Sequence, residues 1–271
     1  MTVPFWASLL FVPAHSTKHL ESAIRLRPDA VILDLEDSVA ADDKPMARAG
    51  LRRAQKLLVE ANLTTLIRVN SDAENMARDL AAVDCDTLTA IIVPKCIDAQ
   101  SLELAQKQFG NLIALIESPA AIRNLHDIAD LKSVCALMFG PEDYAVEMGV
   151  SPHAKAIEHA AALVAIAATA SGKPVYGMVG SLANFSDLEK FKTEIRLTRD
   201  LGFSGALAIH PSQLPIIKHA FAPNPNEVVW AEKVIAAVKS NPAGVFNLDG
   251  RMIDVPVIRQ AQRILQRADK I

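Results

Sequence analysis

Short runs of apolar and β-branched residues recur along the chain: Leu9–Pro13, Ala30–Glu36, Thr65–Asn70, Ala90–Lys95, Leu112–Glu117, Val134–Gly140, Pro174–Val179 and Gly205–His210. They lack the polar alternation of a half-exposed strand, which marks them as strands of a parallel sheet covered on both faces. Between them, stretches such as Thr17–Arg25, Lys44–Glu60, Ala99–Phe109, Ala120–Ala129, Pro152–Ala170 and Asp187–Leu201 repeat apolar residues near every third or fourth position, as amphipathic helices do. A β-then-α unit repeated eight times closes most naturally into a (β/α)8 barrel, the TIM-barrel form of the α/β class, because right-handed crossovers put every helix outside. An open doubly wound sheet is the alternative, but no GxGxxG turn follows any run. Beyond Phe221 a helix is expected near Glu227–Lys239, and the segment DGRMIDVP precedes a last helix ending at Ile271. Residues 1–271 therefore read as a single barrel domain, with 222–271 as a C-terminal helical extension.

Charge and composition narrow the classes of partner. With 28 Lys and Arg against 31 Asp and Glu, the chain has no general attraction for nucleic acid or anionic lipid. The apolar stretch Val3–Val12 has no basic residue before it and is interrupted by Pro4, so it reads as a buried strand rather than a secretory signal. Ala160–Ala170 is far short of the roughly 20 residues that span a bilayer. Cys85, Cys96 and Cys135 are an odd set without CxxC spacing, which fits free thiols and a cytoplasmic location.

Chemistry in such a barrel sits beyond the carboxyl ends of the strands. Those ends are charged here: Asp34, Glu36 and Asp37 after the second run, Arg68 and Asn70 after the third, Lys95 after the fourth, Glu117 after the fifth, Asp143 after the sixth, His210 after the eighth. Buried charges cost several kcal/mol unless paired or metal-bound, so a ring mixing acids with Arg and Lys points to a site. Glu117 and Asp143 stand at neighbouring strand ends and suit a hard divalent ion such as Mg2+, which commonly takes two protein carboxylates. Zinc is disfavoured, since the histidines show no HExxH. The plainer readings are helix capping for Glu117, beside Ser118-Pro119, and a turn for Asp143 after Gly140-Pro141. Arg68 suits a carboxylate or an enolate oxygen, or an internal salt bridge to Glu36 or Asp37. Asp37 has a capping alternative, and His210 reads as a packed residue.

Taken in order, SLLFVPA, DAVILDLEDSVAADDKPMAR, LIRVN, IIVPK, LIESP, MFGPEDYAVEMG, LGFSGALAIHPSQL and DGRMIDVP strongly resemble the citrate lyase β-subunit-like group of the HpcH/HpaI aldolase family, over nearly the whole chain. The resemblance implies a (β/α)8 barrel, Mg2+, and cleavage or formation of a carbon–carbon bond in 3-hydroxyacyl thioesters. It implies Glu117 and Asp143 as metal ligands, Arg68 as the substrate-binding arginine, and Glu36 and Asp37 as the acidic pair near the metal; Lys95 and Pro141, at the same strand ends, are also expected to contact substrate. It also implies that Asp254 is supplied by a neighbouring subunit, and hence a homo-oligomer, expected to be a trimer. Ala14-His15, Lys155 and Gly177–Ser181 depart from the family pattern, which leaves open which acyl or carrier group is accepted.

The expected reaction is a retro-Claisen cleavage of a citramalyl-, malyl- or citryl-type thioester, carried on coenzyme A or an acyl carrier, into a 2-oxoacid and an acyl thioester. Charge develops on both fragments and needs stabilisation. Glu36 or a metal-bound water is expected to take the hydroxyl proton, and Asp254 to exchange the proton at the thioester carbon. Two rivals stand beside this: a Schiff-base aldolase with Lys95 as nucleophile, and a non-catalytic subunit that holds metal and oxoacid for a larger lyase.

Overall fold

The computed structural model describes residues 5–183, 185–240 and 245–268. Val3 and Pro4 of the first expected strand, and the expected helix end at Ile271, lie outside them. The chain forms two compact units, Met1–Ala220 and Phe221–Ile271.

The first unit contains eight parallel strands: β1 (Ser8–Pro13), β2 (Ala30–Asp34), β3 (Thr64–Arg68), β4 (Ala90–Val93), β5 (Leu112–Ile116), β6 (Val134–Phe139), β7 (Val175–Gly177) and β8 (Ala206–Ala208). Their order is β7-β6-β5-β4-β3-β2-β1-β8, and a parallel bridge from Tyr176 to Gly205 joins β7 to β8 and closes the ring. The seam is short: β5 and β6 share five paired positions, whereas β7 and β8 meet at that one bridge. Each strand is almost wholly buried, as continuous apolar runs require when helices cover one face and the barrel interior fills the other.

The helices of this unit are α1 (Thr17–Leu26), α2 (Lys44–Glu60), α3 (Ala73–Ala82), α4 (Glu103–Gln106), α5 (Pro119–Arg123), α6 (Leu125–Asp130), α7 (Pro141–Met148), α8 (Lys155–Ala170), α9 (Leu188–Asp200) and α10 (Leu214–Phe221). Helix α2 has the bounds its periodicity predicts, with Ala47, Leu51, Ala54 and Leu58 on its buried face. The stretch Ala120–Ala129 is broken instead at Asn124, whose backbone leaves the helical region (φ −105, ψ 13), and Ala99–Phe109 shrinks to a 3-10 turn and α4.

In the second unit, α11 (Pro225–Ser240) and α12 (Val255–Ala268) accompany an antiparallel hairpin of β9 (Phe246–Leu248) and β10 (Arg251–Ile253). Its two-residue turn, Asp249-Gly250, has positive φ at both positions (51 and 81). Asp-Gly is a common sequence for such a tight turn, so the hairpin hidden in DGRMIDVP had a local signal. Ala231, Val234, Ile253 and Ala261 form the unit's buried centre.

Candidate active site at the carboxyl end of the barrel

Side chains alternate along a strand, so the inward positions can be followed up each stave. Leu9, Ala30, Ile32, Leu66, Ile113, Leu115, Ala136, Met138 and Leu207 belong to one buried cluster that fills the barrel. The next positions of the same parity, at or just beyond the carboxyl ends, are Phe11, Asp34, Arg68, Glu117, Gly140 and Ile209, and all six line one cavity of about 320 Å3. Asp37, Ser38, Pro141, Glu142, Asp143, Leu182 and Ala183 complete much of its wall. The hydrophobic core thus passes directly into a charged mouth.

Arg68 and Asp34 organise one side. The guanidinium binds Asp34 through two parallel hydrogen bonds, Nε to Oδ1 and Nη2 to Oδ2, each 2.7 Å. Asp34 also accepts the Glu36 and Ser38 backbone N–H groups at 3.1 Å, which folds the acidic loop back over the strand end. Burial alone would raise the Asp34 carboxyl, but the bonds and charge of Arg68, with Ser38 and Glu36, hold it below its ordinary value. The Arg68 guanidinium carbon lies 4.8 Å from the centre of the Phe11 ring, a cation–π contact.

Glu36 and Asp37 are bracketed by the same two cations. Arg68 Nη1 lies 3.2 Å from Glu36 Oε2 and 3.3 Å from Asp37 Oδ2, while Lys95 Nζ lies 3.1 Å from Glu36 Oε1 and 3.8 Å from Asp37 Oδ1. Asp37 is on the cavity wall, whereas Glu36 is buried beside it and neither of its oxygens has a well-formed hydrogen bond. Burial, with the Asp37 charge, outweighs Arg68 and Lys95 and pushes the Glu36 carboxyl up to about 7.

Lys95 reaches two acids at once. Its backbone is left-handed (φ 49), uncommon for a residue with a side chain, and its N–H donates to Glu117 Oε2 at 2.9 Å while Nζ turns to Glu36. Burial would lower the ammonium pKa, but the Glu36 and Asp37 charges prevail and hold it raised. A Schiff-base nucleophile needs the neutral amine, so this environment opposes that role for Lys95.

Glu117 is buried at the end of β5, where desolvation pushes its carboxyl up to about 8 despite the Lys95 N–H, with Glu36 and Asp143 adding repulsion. Asp143 lies in the first turn of α7, which Gly140 and Pro141 begin. Both carboxylates face the same cavity, as their neighbouring strand ends predict. Among the described residues no group of three or more His, Cys, Asp or Glu is arranged to hold a metal, so an ion here would rest on these two carboxylates and on non-protein oxygens.

Lys44, Asp79 and Glu142, which carried no sequence signal, hold the mouth in place. Lys44 Nζ donates to the Leu35 and Glu36 carbonyls (2.9 and 3.0 Å) and to Asn70 Oδ1 (2.5 Å). Fully buried Asp79 accepts from Arg48 Nε at 2.6 Å and from the Asn70 backbone and side chain at 2.8 and 2.6 Å. Glu142 accepts from Ser181 Oγ and the Leu182 N–H at 2.5 and 3.0 Å. His210 is a cap: Nδ1 accepts the Ser212 N–H at 3.2 Å, and the ring stacks on Phe185 with centroids 4.7 Å apart. Asp254 belongs to the second unit, where its carboxylate accepts the Val257 N–H at 3.1 Å and caps α12.

Comparison with known proteins agrees with this geometry. The chain is 33% identical over 98% of its length to a citrate lyase subunit beta-like protein of Mycobacterium tuberculosis, 95% of which is covered. It is 32% identical over 96% of its length to the citrate lyase subunit beta of Haemophilus influenzae, also covered to 96%. Among solved structures, the CitE protein of Mycobacterium tuberculosis in complex with magnesium, acetoacetate and coenzyme A superposes with a TM-score of 0.78 at 30% identity, covering 97% of this chain and 98% of that one. The sequence model of the HpcH/HpaI aldolase/citrate lyase family matches residues 7–211, and with the eight-stranded barrel and the acidic mouth described above, this chain is a member of that family.

Proposed function

We propose that this chain is a magnesium-dependent carbon–carbon lyase that cleaves a 3-hydroxyacyl thioester to a 2-oxoacid and an acyl thioester, or runs the reverse condensation. The observation that carries this reading is the convergence of Glu117 and Asp143 on one cavity with Arg68 and Asp37. The residues fit the ion: Glu117 is a buried carboxylate that accepts the Lys95 N–H and is crowded by the Glu36 and Asp143 charges, so its charged form is under-compensated. A cation relieves this deficit more directly than a neutral ligand. Glu117 and Asp143 would hold it. When bound, the ion supplies Lewis-acid polarisation of the substrate's carboxylate and hydroxyl oxygens.

The chain's own groups supply the rest. Arg68, fixed by Asp34, presents positive charge toward the oxygens on which charge develops. The Glu36–Asp37 pair accepts the hydroxyl proton as the carbon–carbon bond breaks and the 2-oxoacid carbonyl forms. A carboxyl near 7 matches the operating range of a general base. Lys95 keeps the pair oriented, and Pro141 closes the wall next to Asp143. The proton that quenches the thioester enolate carbon is assigned to Asp254 of a neighbouring copy in a homotrimer, a reading supported by the family resemblance of the MIDVP segment.

Purified protein with citramalyl-, malyl- and citryl-coenzyme A, with and without Mg2+, tests the proposal by release of 2-oxoacid. The expected result is chelator-sensitive release from at least one ester, abolished together with Mg2+ binding in Glu117→Ala. Firm oxoacid binding without turnover of any ester or acyl-carrier analogue would instead support a binding subunit of a larger lyase.

A further inference from the structure

Gly177–Ser181, a stretch that departs from the family pattern, leads from β7 toward the cavity wall at Leu182 and Ala183. The pairing of β7 with β6 ends at Gly177, and beyond it side chains of the surrounding helices hold the strap. The Val179 N–H donates to Thr198 Oγ1 at 3.0 Å, and that hydroxyl donates in turn to the Glu194 carbonyl at 2.7 Å. The Glu194 carboxylate presses on the next residue: Gly180 has φ +95, and a Cβ built there would overlap the Glu194 carboxyl group. Glycine alone combines that backbone conformation with room for the carboxylate.

Glu194 thereby brackets α7 from both ends. On one side it accepts the Ser181 N–H. Ser181 Oγ and the Leu182 N–H carry the connection on to Glu142 Oε1, at 2.5 and 3.0 Å, in the first turn of α7. On the other side Glu194 Oε1 lies 2.8 Å from Nδ1 of His153, in the connection that follows α7. Thr198, Glu194 and Glu142 so fasten three consecutive residues, Val179, Gly180-Ser181 and Leu182, to α9 and α7.

The consequence falls on Asp143. The N-cap of α7 is Gly140, which has no side chain to fix the first turn. Successive residues of a helix project about 100° apart, so anchoring Glu142 sets the rotation of that turn and with it the direction in which Asp143 leaves the backbone. Glu142 also lines the cavity, where a free carboxylate would compete with Asp143 for a cation. Two hydrogen bonds on one of its oxygens keep it with the strap instead.

Resting on the reading of Asp143 as a metal ligand, we propose that Glu194 and Ser181 are positioning residues for the metal site: through Glu142 they fix the first turn of α7 and hence the place of the Asp143 carboxylate. Neither is among the residues that line the cavity, so each acts through another group. Gly180 is the gap that admits this clamp, which gives the unusual Gly177–Ser181 stretch a role in the site rather than in the strand.

Two measurements on the full chain test this: calorimetric titration with Mg2+, and hydrogen exchange of the α7 segment 141–148. Ser181→Ala and Glu194→Ala, confirmed as folded by circular dichroism, are each expected to weaken Mg2+ binding roughly tenfold, as loss of a ligand's support does. Ser181→Thr keeps the hydroxyl and is expected to stay within about twofold of the unaltered chain. Exchange in 141–148 is expected to quicken in the two alanine variants, since local opening becomes easier. Unchanged Mg2+ affinity in the folded alanine variants, or an equal loss in Ser181→Thr, overturns the proposal. If Glu194→Ala does not fold, the two Ser181 variants decide alone. If the unaltered chain binds no Mg2+, the reading of Asp143 as a ligand fails, and exchange still decides the clamp: quickening confined to 141–148 supports it, and unchanged exchange overturns it.

Discussion

Gly140 and Glu117 occupy one space: a Cβ built on Gly140 would stand 2.6 Å from Glu117 Oε1 and 2.7 Å from its Cγ. The glycine is there to let the carboxylate of one strand end lie across the next. Gly140→Ala is expected to swing Glu117 out of line and weaken Mg2+ binding by roughly ten- to hundredfold, the range seen when a ligand's support is disturbed. Isothermal calorimetry on the variant, with circular dichroism to confirm the barrel, checks this. Unchanged affinity would show that Glu117 finds its position without the gap.

The buried acids set a pH dependence whose sign is opposite to that of most paired carboxylates. Glu117 rises from 4.5 to about 8 and Glu36 from 4.5 to about 7 on folding. Between those values the native state binds more protons than the unfolded chain, so stability falls as pH rises. Metal-free protein is expected to lose stability from about pH 5 to about pH 8, and Glu117→Gln to flatten that slope in denaturant melts. Mg2+ needs the ionised carboxylates, so its affinity should climb over the same window, with protons released on binding. A metal-free stability that rises toward pH 8 through these groups would contradict the burial described.

Arg68→Lys keeps the charge and removes the two-pronged grip on Asp34. Asp34 is 1% exposed and the Arg68 side chain 11%, so the disrupted pair leaves a buried carboxylate poorly compensated. The expected cost is about 3 kcal/mol, read as a lower urea midpoint. A loss below about 1 kcal/mol would mean that the acidic loop does not depend on this pair.

The barrel was legible because its strands are buried on both faces and so stand out as unbroken apolar runs, most of them ending in or followed by a charged or polar residue. Position at the ends of those runs placed Arg68 and Glu117 at the mouth, and strand adjacency joined Glu117 to Asp143. Ranking the acids was beyond such a reading. Asp34, Glu36 and Asp37 lie within four positions, and only the curvature of the loop decides that Asp34 takes the arginine, that Asp37 faces the cavity and that Glu36 stays behind it. Lys44 starts α2 as an ordinary solvent-facing lysine would, yet its side chain reaches across to Asn70, 26 residues on. Gln213 acts between elements that meet only when the ring closes. The Asp249-Gly250 hairpin is different: its turn chemistry was present locally and would have revealed it.

The single bridge between Tyr176 and Gly205 makes the barrel mechanically uneven. Few backbone hydrogen bonds mean a low local cost of opening, and this seam runs beside the hydrocarbon side of the mouth rather than its acidic side. Compliance is therefore concentrated beside Leu182, Ala183, Leu207 and Ile209, side chains whose packing tolerates a few tenths of an ångström. The strands that align the acids and Arg68 are stitched along greater lengths and stay stiff.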